Sequence, residues 1–265
     1  MKDSLKGGHA ISTVARNLGV IAAALAHSKL PVSLIYNESA ILAKWPELKP
    51  KAARQIFEPT DEELARLLKA PMPPMLRRWL LNSMATGGRP EAVLQLSPAS
   101  RQRDLGLIDL NPEGRRQNKK YRATVRELRA QSKWLDQWER EDKAARTKNK
   151  GLALQYSRYA CVDSIDTALQ RLRMNKEVNL PRFSSYSIRH RVASVLRSGK
   201  VPGEQISFQM GHRKISAKGE ARTTRNYGQF DPDYLEEAAK VLEAWVGKVL
   251  RMSRATAGRK LRQAA

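Results

Sequence analysis

The chain is poor in the side chains that metal and disulfide sites need. Its 265 residues include one cysteine, Cys161, which excludes an internal disulfide framework and a cysteine-rich zinc site. The four histidines are His9, His27, His190 and His212. They lack the close spacing of zinc ligands, and no carboxylate-rich motif accompanies them. The sequence therefore predicts neither a disulfide-stabilised secreted protein nor a zinc enzyme.

Long apolar runs and nucleotide-binding motifs are also missing. No apolar run approaches the ~18 residues of a membrane helix, and the opening MKDSLKGGHAIS lacks the apolar segment of a signal peptide. There is no P-loop, no G-x-G-x-x-G and no G-x-S-x-G. We therefore expect a cytoplasmic protein, in the same compartment as nucleic acid, with no cofactor, no membrane partner and no small-molecule substrate.

Acidic residues are scarce relative to basic ones. The chain has 49 lysines and arginines against 26 aspartates and glutamates, which gives a net charge of +23. Hydrophobic residues make up 41% of the chain, enough for a globular protein rather than a disordered one. The positive charge could serve only to keep copies of the protein from aggregating. A surplus of this size, however, also destabilises the folded state through repulsion between its own charges. The balance therefore favours a polyanionic partner, above all nucleic acid.

Helical periodicity dominates the first 60 residues. The stretch STVARNLGVIAAALAHS repeats its apolar residues every three or four positions, and a second helix is predicted at about 38–45. Residues 46–60 are rich in proline and lysine, which is typical of a linker. These features predict a partial helical domain over residues 1–55, joined by a linker that ends at about 60.

The rest of the chain predicts helices interrupted by one small sheet. Thr60 precedes DEELARLLKA, which has acids in its first turn and a base in its last, as the helix dipole favours. Between residues 104 and 128 two short apolar runs flank a turn at Asn111–Gly114, which predicts a hairpin. Further helices are predicted at PPMLRRWLLNSMAT, at the segment opened by Pro90, and at 129–146, 163–175, 186–198 and 203–210. The expected fold class is mainly α with a small antiparallel β-sheet, an α+β protein.

The last predicted helix spans about 231–250, with Asp231 as its cap and Pro232 at its first position. Its apolar residues recur at spacings of three and four. This stripe could pack onto the chain's own core or into a groove of a neighbouring subunit. Residues 251–265 are basic and are predicted to form a disordered tail.

Four short motifs follow one another in an order that is typical of one family. ATGGRPEAVLQL places Arg89 after a glycine-rich turn, and SSYSIRHRVASVLRSG contains Arg189. ISFQMGHRK contains His212, and ARTTRNYGQF contains Tyr227. Together they resemble the two arginine boxes, the Leu-Gly-His turn and the tyrosine motif of the tyrosine recombinases, the phage-integrase family. The resemblance covers roughly residues 60–250 and implies the catalytic domain of that family, preceded over residues 1–55 by a shortened form of its core-binding domain, which clamps DNA.

A fifth element lies between the two arginine boxes. RQNKKYRATV resembles the β-hairpin lysine segment of the family, with Lys119 as the better match and Lys120 beside it. The resemblance implies that the protein is a site-specific recombinase or integrase, of a prophage or mobile element, that acts on double-stranded DNA. It also implies a homodimer on each DNA site and a homotetramer in synapsis.

In the mechanism that the resemblance implies, these residue types have clear tasks. The guanidinium groups of Arg89 and Arg189 hold the non-bridging oxygens of a phosphodiester as negative charge builds on them. Lys119 protonates the leaving 5′ oxygen, and His212 accepts the tyrosine proton or hydrogen-bonds the phosphate. Tyr227 becomes a covalent 3′-phosphotyrosine. Because that bond retains the phosphodiester energy, rejoining needs neither ATP nor a metal ion.

The sequence departs from the family pattern at three places. The second-box position usually held by histidine or lysine is Tyr186, whose phenol can bind phosphate but is a poor proton shuttle at neutral pH. The acidic residue expected three positions after the first arginine is replaced by Ala92, with Glu91 one position earlier. The segment from His212 to Tyr227 is longer than in most members, which leaves open whether the tyrosine acts in its own subunit.

Other basic residues close to these motifs are candidate DNA contacts: Arg115, Arg116, Lys120, Arg122, Arg213, Lys214 and Arg225. Taken singly, each site residue also has a plainer interpretation, as a surface arginine, a helix cap or a packing tyrosine. Two alternatives to the recombinase remain open. One is a type IB-like DNA topoisomerase that works as a monomer, and the other is a non-catalytic DNA-binding remnant of a mobile element.

Overall fold

A computed structural model of the chain describes residues 11–30, 37–45, 56–111, 114–117, 121–148, 164–212 and 235–263. The chain divides into two compact units, Met1–Gln55 and Ile56–Ala265. The described part is mainly α-helical and holds one three-stranded antiparallel sheet. This confirms the fold class predicted from the sequence.

The described part of the first unit contains two helices. Helix α1 spans Ile11–His27 and helix α2 spans Glu38–Lys44. Asn37 caps α2, since its side-chain oxygen accepts a hydrogen bond from the backbone N–H of Ala40 at 2.7 Å. The two helices share a small core of Ile11, Ala15 and Ile41, with Leu42 and Trp45 packed against it.

The second unit begins with a helix whose ends follow from local sequence. Helix α3 spans Asp61–Lys69. The backbone N–H of Glu63 donates to the Thr60 hydroxyl at 3.2 Å, and the backbone N–H of Thr60 donates to the Glu63 carboxylate at 2.8 Å. This reciprocal capping box satisfies two backbone donors that the helix itself cannot pair. The start that the sequence predicts at Thr60 is confirmed.

Helices α4 and α5 follow, at Pro74–Thr86 and Pro90–Leu94. The sheet comes next, with strands β1 at Arg101–Gln102, β2 at Leu107–Asp109 and β3 at Thr124–Arg126. Strand β2 lies in the middle and is antiparallel to both neighbours. The predicted hairpin corresponds to β2 and β3, with Ile108 opposite Val125. Strand β1 was not predicted, because two polar residues carry no alternating pattern.

Helix α6, Arg129–Lys148, is fastened to the rest of the unit by ion pairs. The buried Arg101 guanidinium lies 2.6 Å from the Glu127 carboxylate, and it also pairs with Asp136 and Glu139 of α6 at 2.8 and 2.9 Å. Arg78 of α4 contacts Asp142 of α6 at 2.8 Å. Several of the few acidic residues are therefore used inside the fold, where the guanidiniums of Arg78 and Arg101 each have a close carboxylate.

The remaining helices are α7 at Asp166–Met174, α8 at Ser187–Ser198, α9 at Gly203–Gln209 and α10 at Glu236–Gln263. Helix α10 packs on α3 and α8, and α8 packs on α4. These contacts surround a core that includes Trp79, Phe183 and Leu242. No helix in the described ranges is both long and apolar enough to cross a membrane.

Helix α10 corrects two predictions. Asp231 and Pro232 lie outside the described residues, but no continuous helix can join them to α10, because Leu235 has a left-handed backbone with φ 56° and α10 begins at Glu236. At the other end, residues 251–263 continue the helix to Gln263 and do not form a separate disordered tail. The predicted apolar stripe packs onto the chain's own core and not into a groove of a neighbouring subunit. Its buried residues are Leu235, Ala238, Leu242, Trp245 and Val249.

Candidate active site

A glycine turn at the end of α4 sets the direction of Arg89. Gly87 has φ 63°, and a Cβ there would lie 2.7 Å from Val192 Cγ1, so the position favours glycine in both conformation and space. The Thr86 hydroxyl donates to the Asn82 carbonyl at 2.7 Å and accepts from the Gly88 N–H at 3.1 Å. Arg89 follows with an extended backbone at the start of α5. The glycine pair noted in the sequence thus fixes where this side chain begins.

Arg189 reaches the same turn from α8. It lies in the first turns of that helix and its side chain is buried. Its Nη1 donates to the Gly87 carbonyl at 2.8 Å, and its Nη2 donates to the Met210 carbonyl. Nη2 is also 3.2 Å from Nε2 of His212. One guanidinium therefore connects the end of α4 with the turn after α9.

The turn after α9 delivers His212. The His212 N–H donates to the Ser207 carbonyl at 2.8 Å, and the Gly211 N–H donates to the Phe208 carbonyl at 2.9 Å. With Gly211 at φ 59°, these are the two crossing bonds of a Schellman motif. The histidine position is thus set by the way the helix ends.

The contact between Arg189 and His212 indicates the histidine tautomer. A guanidinium has donors and no acceptor, so Nε2 of His212 must accept the hydrogen bond from Arg189. The imidazole that fits this geometry is neutral and carries its proton on Nδ1. In this arrangement the Arg189 donor occupies the lone pair of Nε2, so this nitrogen can accept a proton only after Arg189 turns to another acceptor, such as a phosphate oxygen.

Arg89 contacts the same turn. Its Nη1 donates to the Tyr121 carbonyl, and its Nη2 lies 3.5 Å from the Gly211 carbonyl. Arg89 and Arg189 thus point at consecutive carbonyls of one turn, those of Gly211 and Met210. A small cavity opens here, and its lining residues are Gly88, Arg89, Ala92, Leu110, Arg122, Ala123, Arg189, Gln209, Met210 and Gly211.

Arg122 provides a third guanidinium of this cavity. The residue is 5% exposed. Its Nη1 donates to the side-chain oxygen of Gln95, and its Nη2 lies 3.5 Å from the Glu91 carboxylate. The Gln117 side chain brackets its backbone, donating to the Arg122 carbonyl at 2.9 Å and accepting from the Arg122 N–H at 3.1 Å. Arg122 is therefore held from both its backbone and its side chain.

Electrostatics in the cavity are dominated by positive charge. Burial and, to a lesser extent, the charge of Arg89 lower the pKa of Arg189 to about 10, while Tyr186 opposes the shift. Burial also lowers the pKa of Arg122, with Arg115 and Arg89 acting in the same direction and Glu91 against it. Both shifts mean that the charged form lacks compensation. An anion in the cavity would supply it.

The structure brings together Arg89, Arg189 and His212 from the motifs, and it adds Arg122 from the candidate DNA contacts. Tyr186 lies at the start of α8 and is 49% exposed, and it acts to raise the pKa of Arg189.

Of the other predicted residues, two lie in the described ranges. Arg115 is half-buried and donates to the Asn111 side chain at 2.6 Å, and Arg116 is exposed. The predicted sites that lie outside the described residues are Tyr227, Lys119, Lys120, Arg213, Lys214 and Arg225.

Three features of the cavity were not foreseen. Gln209 is buried and donates to the Thr86 carbonyl at 2.8 Å, which ties α9 to α4. The Tyr121 carbonyl holds Arg89, and backbone groups leave no mark in a sequence. Glu91, which lies one position before the expected acidic residue, pairs with Arg122.

Comparisons with known proteins add no relative. No family model matches the chain, and no curated protein matches it. Within the described ranges, no group of three or more His, Cys, Asp or Glu side chains could hold a metal ion. The arrangement of side chains is therefore the main guide to function.

Proposed function

We propose that the protein is a DNA strand transferase of the tyrosine-recombinase type, which cuts and rejoins DNA through Tyr227. The observation that carries the proposal is that Arg89 and Arg189 line one cavity and that His212 lies 3.2 Å from Arg189. These residues are separated by 100 and 23 positions, yet hydrogen bonds to neighbouring carbonyls place them side by side. Independent surface residues would have no reason to meet in this way.

The first step would be direct transfer of the phosphodiester. The Tyr227 oxygen attacks phosphorus, a new O–P bond forms and the bond from phosphorus to the 5′ oxygen breaks. The tyrosine proton passes to an acceptor, a role open to Nε2 of His212 once Arg189 has turned to the phosphate, and the 5′ oxygen takes a proton from a donor such as Lys119. Attack by the 5′ hydroxyl on the phosphotyrosine reverses these changes and rejoins a strand.

The two arginines suit the charge that this step creates. Negative charge develops on the non-bridging oxygens of the phosphate, and planar guanidinium forks donate paired, charge-assisted hydrogen bonds to such oxygens. Both side chains line the cavity and donate to backbone carbonyls there, and an arriving phosphate would take over some of these hydrogen bonds. Preorganised donors of this kind supply a large part of transition-state stabilisation.

DNA is the substrate that the charge favours. A net charge of +23 supports binding through many phosphate contacts. We expect double-stranded DNA as the partner, with a homodimer on each site and a homotetramer during exchange. Because such contacts release counterions, DNA binding should weaken steeply as the salt concentration rises.

A covalent adduct tests the proposal. A duplex is first selected from a random library by repeated binding to the protein, and a nicked suicide version is then incubated with it. We expect a protein–DNA adduct that resists denaturation, absent in Tyr227→Phe and retained in the matched control Tyr234→Phe. If no adduct forms on a duplex that the protein is shown to bind, the protein is instead a non-catalytic DNA-binding remnant of a mobile element. Relaxation of supercoiled plasmid by dilute monomer would favour a topoisomerase instead.

A further inference from the structure

Arg122 was not among the predicted catalytic residues, yet it lines the cavity with Arg89 and Arg189. It lies directly after Tyr121, whose carbonyl accepts a hydrogen bond from Arg89. The same short segment therefore supports one guanidinium through its backbone and provides another through its side chain. We infer that Arg122 is a third phosphate-binding guanidinium of this cavity, contacting the same phosphate group as Arg89 and Arg189. The inference deepens the proposed function.

Other buried arginines of the chain show what a structural arginine looks like here. Arg101 has three carboxylates at 2.6 to 2.9 Å, and Arg78 has the Asp142 carboxylate at 2.8 Å. Burial of a charge is costly unless close partners compensate it. In both cases the fold provides those partners.

Arg122 differs from these two in its partners. Its closest partner is the neutral amide of Gln95, and its carboxylate partner Glu91 is 3.5 Å away with a side chain that is 74% exposed. The pKa values move in opposite directions: carboxylates outweigh burial and raise that of Arg101, whereas burial and neighbouring cations lower that of Arg122. A fixed cation with weak internal compensation is suited to an external anion.

The charge of the reaction gives a third guanidinium a task. A phosphodiester carries one negative charge, and attack by a tyrosinate adds a second that spreads over the phosphate oxygens. Arg122 adds to the positive charge beside those oxygens. It already has a fixed position, because Gln117 holds its backbone and Gln95 its side chain.

Binding of inorganic phosphate tests this inference without depending on DNA cleavage. The full-length protein is titrated with phosphate in a calorimeter, at constant ionic strength set with chloride. We expect Arg122→Gln to weaken binding by about ten-fold or more, the loss expected of a hydrogen bond to a charged group. The control Arg103→Gln removes the same charge from a side chain that is 53% exposed and paired with Asp136 and Glu139, and it should leave binding unchanged.

A second variant predicts the opposite sign. Glu91→Gln removes the exposed carboxylate that competes for Arg122, and it should tighten phosphate binding about two- to five-fold, whereas Glu177→Gln should not. In the Arg122→Gln background the effect of Glu91→Gln should disappear. Because Glu91 is largely exposed, Glu91→Gln should fold even if Arg122→Gln does not, and its phosphate binding still tests the inference. Arg122→Lys then shows whether a single point charge at position 122 keeps part of the phosphate affinity.

The outcomes separate this inference from the proposed function. Phosphate binding that is equal in wild type and Arg122→Gln would overturn it, as would a wild type that binds phosphate no better than chloride. Arg122-dependent phosphate binding by a protein that forms no DNA adduct would retain the phosphate site and refute the strand-transfer proposal. Adduct formation that does not change in Arg122→Gln would refute the role of Arg122 and leave strand transfer intact.

Discussion

Asp61 joins three helices, and its replacement by asparagine should destabilise the second unit measurably. The Asp61 carboxylate, at the first position of α3, accepts hydrogen bonds from Trp245 and Lys248 of α10 and from Arg191 of α8, each at 2.8 Å. Arg191 lies two positions after Arg189 in the same helix. The contact therefore fixes the helix that carries one of the site arginines.

The pKa of Asp61 gives the magnitude. Burial alone would raise this pKa, but the hydrogen bonds from Lys248, Trp245 and Arg191 outweigh it and lower the pKa from 3.8 to about 2. One pKa unit corresponds to ~1.4 kcal/mol, so ionised Asp61 contributes about 2 kcal/mol to the free energy of unfolding at neutral pH. We expect Asp61→Asn to lower that free energy by about this amount. The amide carries no charge, and its NH2 group would face the N–H donors that the carboxylate accepts from.

The sign of the pH dependence follows from the lowered pKa. Because the folded-state pKa lies below the unfolded-state value, the contribution is fully present above about pH 4 and is lost as the pH falls toward 2. The stability difference between wild type and Asp61→Asn should therefore be largest near pH 7 and shrink below pH 4.

Urea unfolding followed by circular dichroism, at several pH values between 7 and 2.5, measures this difference. Glu62→Gln is the matched control, because Glu62 is the adjacent carboxylate and is exposed. If Asp61→Asn and Glu62→Gln destabilise the protein equally, or if the effect of Asp61→Asn does not depend on pH, the reasoning about the three-helix contact is wrong.

Two further predictions concern the site itself. Gly211→Ala should reduce adduct formation and phosphate binding, because φ 59° is strained for alanine and the new Cβ would lie 2.9 Å from the Tyr121 carbonyl that holds Arg89. Gly203→Ala is the control, because a Cβ at that position has nothing within 4 Å. Equal activity of the two variants would contradict this prediction. Arg189→Lys keeps the positive charge but loses the paired donors of the planar guanidinium, so the rate of adduct formation should fall about 100- to 1000-fold. DNA affinity, measured by filter binding, should change only a few-fold in that variant, and a parallel loss of affinity would show that Arg189 acts chiefly as a general DNA contact.

Features governed by local sequence could be predicted. The start of α3 depends on Thr60 and Glu63, which lie three residues apart, and the turn before Arg89 depends on adjacent glycines. Strand β1 depends on pairing with β2 and was missed. The start of α10 was placed too early, since Asp231 and Pro232 are favourable cap residues by themselves and the sequence gives no sign of the left-handed backbone at Leu235.

The candidate site was predictable only in part, for the same reason. The motifs indicated Arg89, Arg189 and His212, and the structure places these three together. The position of Arg122 depends on a contact with Gln95, 27 residues earlier, and no local pattern announces such a contact. Tyr227 lies outside the described residues, so its role as nucleophile stays a prediction.

Identifying the residue that carries the nucleotide tests the central claim most directly. The adduct formed on the suicide duplex is digested with nuclease and trypsin, and the modified peptide is sequenced by mass spectrometry. Cleavage after Arg225 and Lys240 gives a peptide of residues 226–240 that contains Tyr227 and Tyr234, so fragmentation must distinguish the two. We predict a nucleotide attached through its 3′ phosphate to Tyr227. A nucleotide on Tyr234 or on any other side chain would contradict the account.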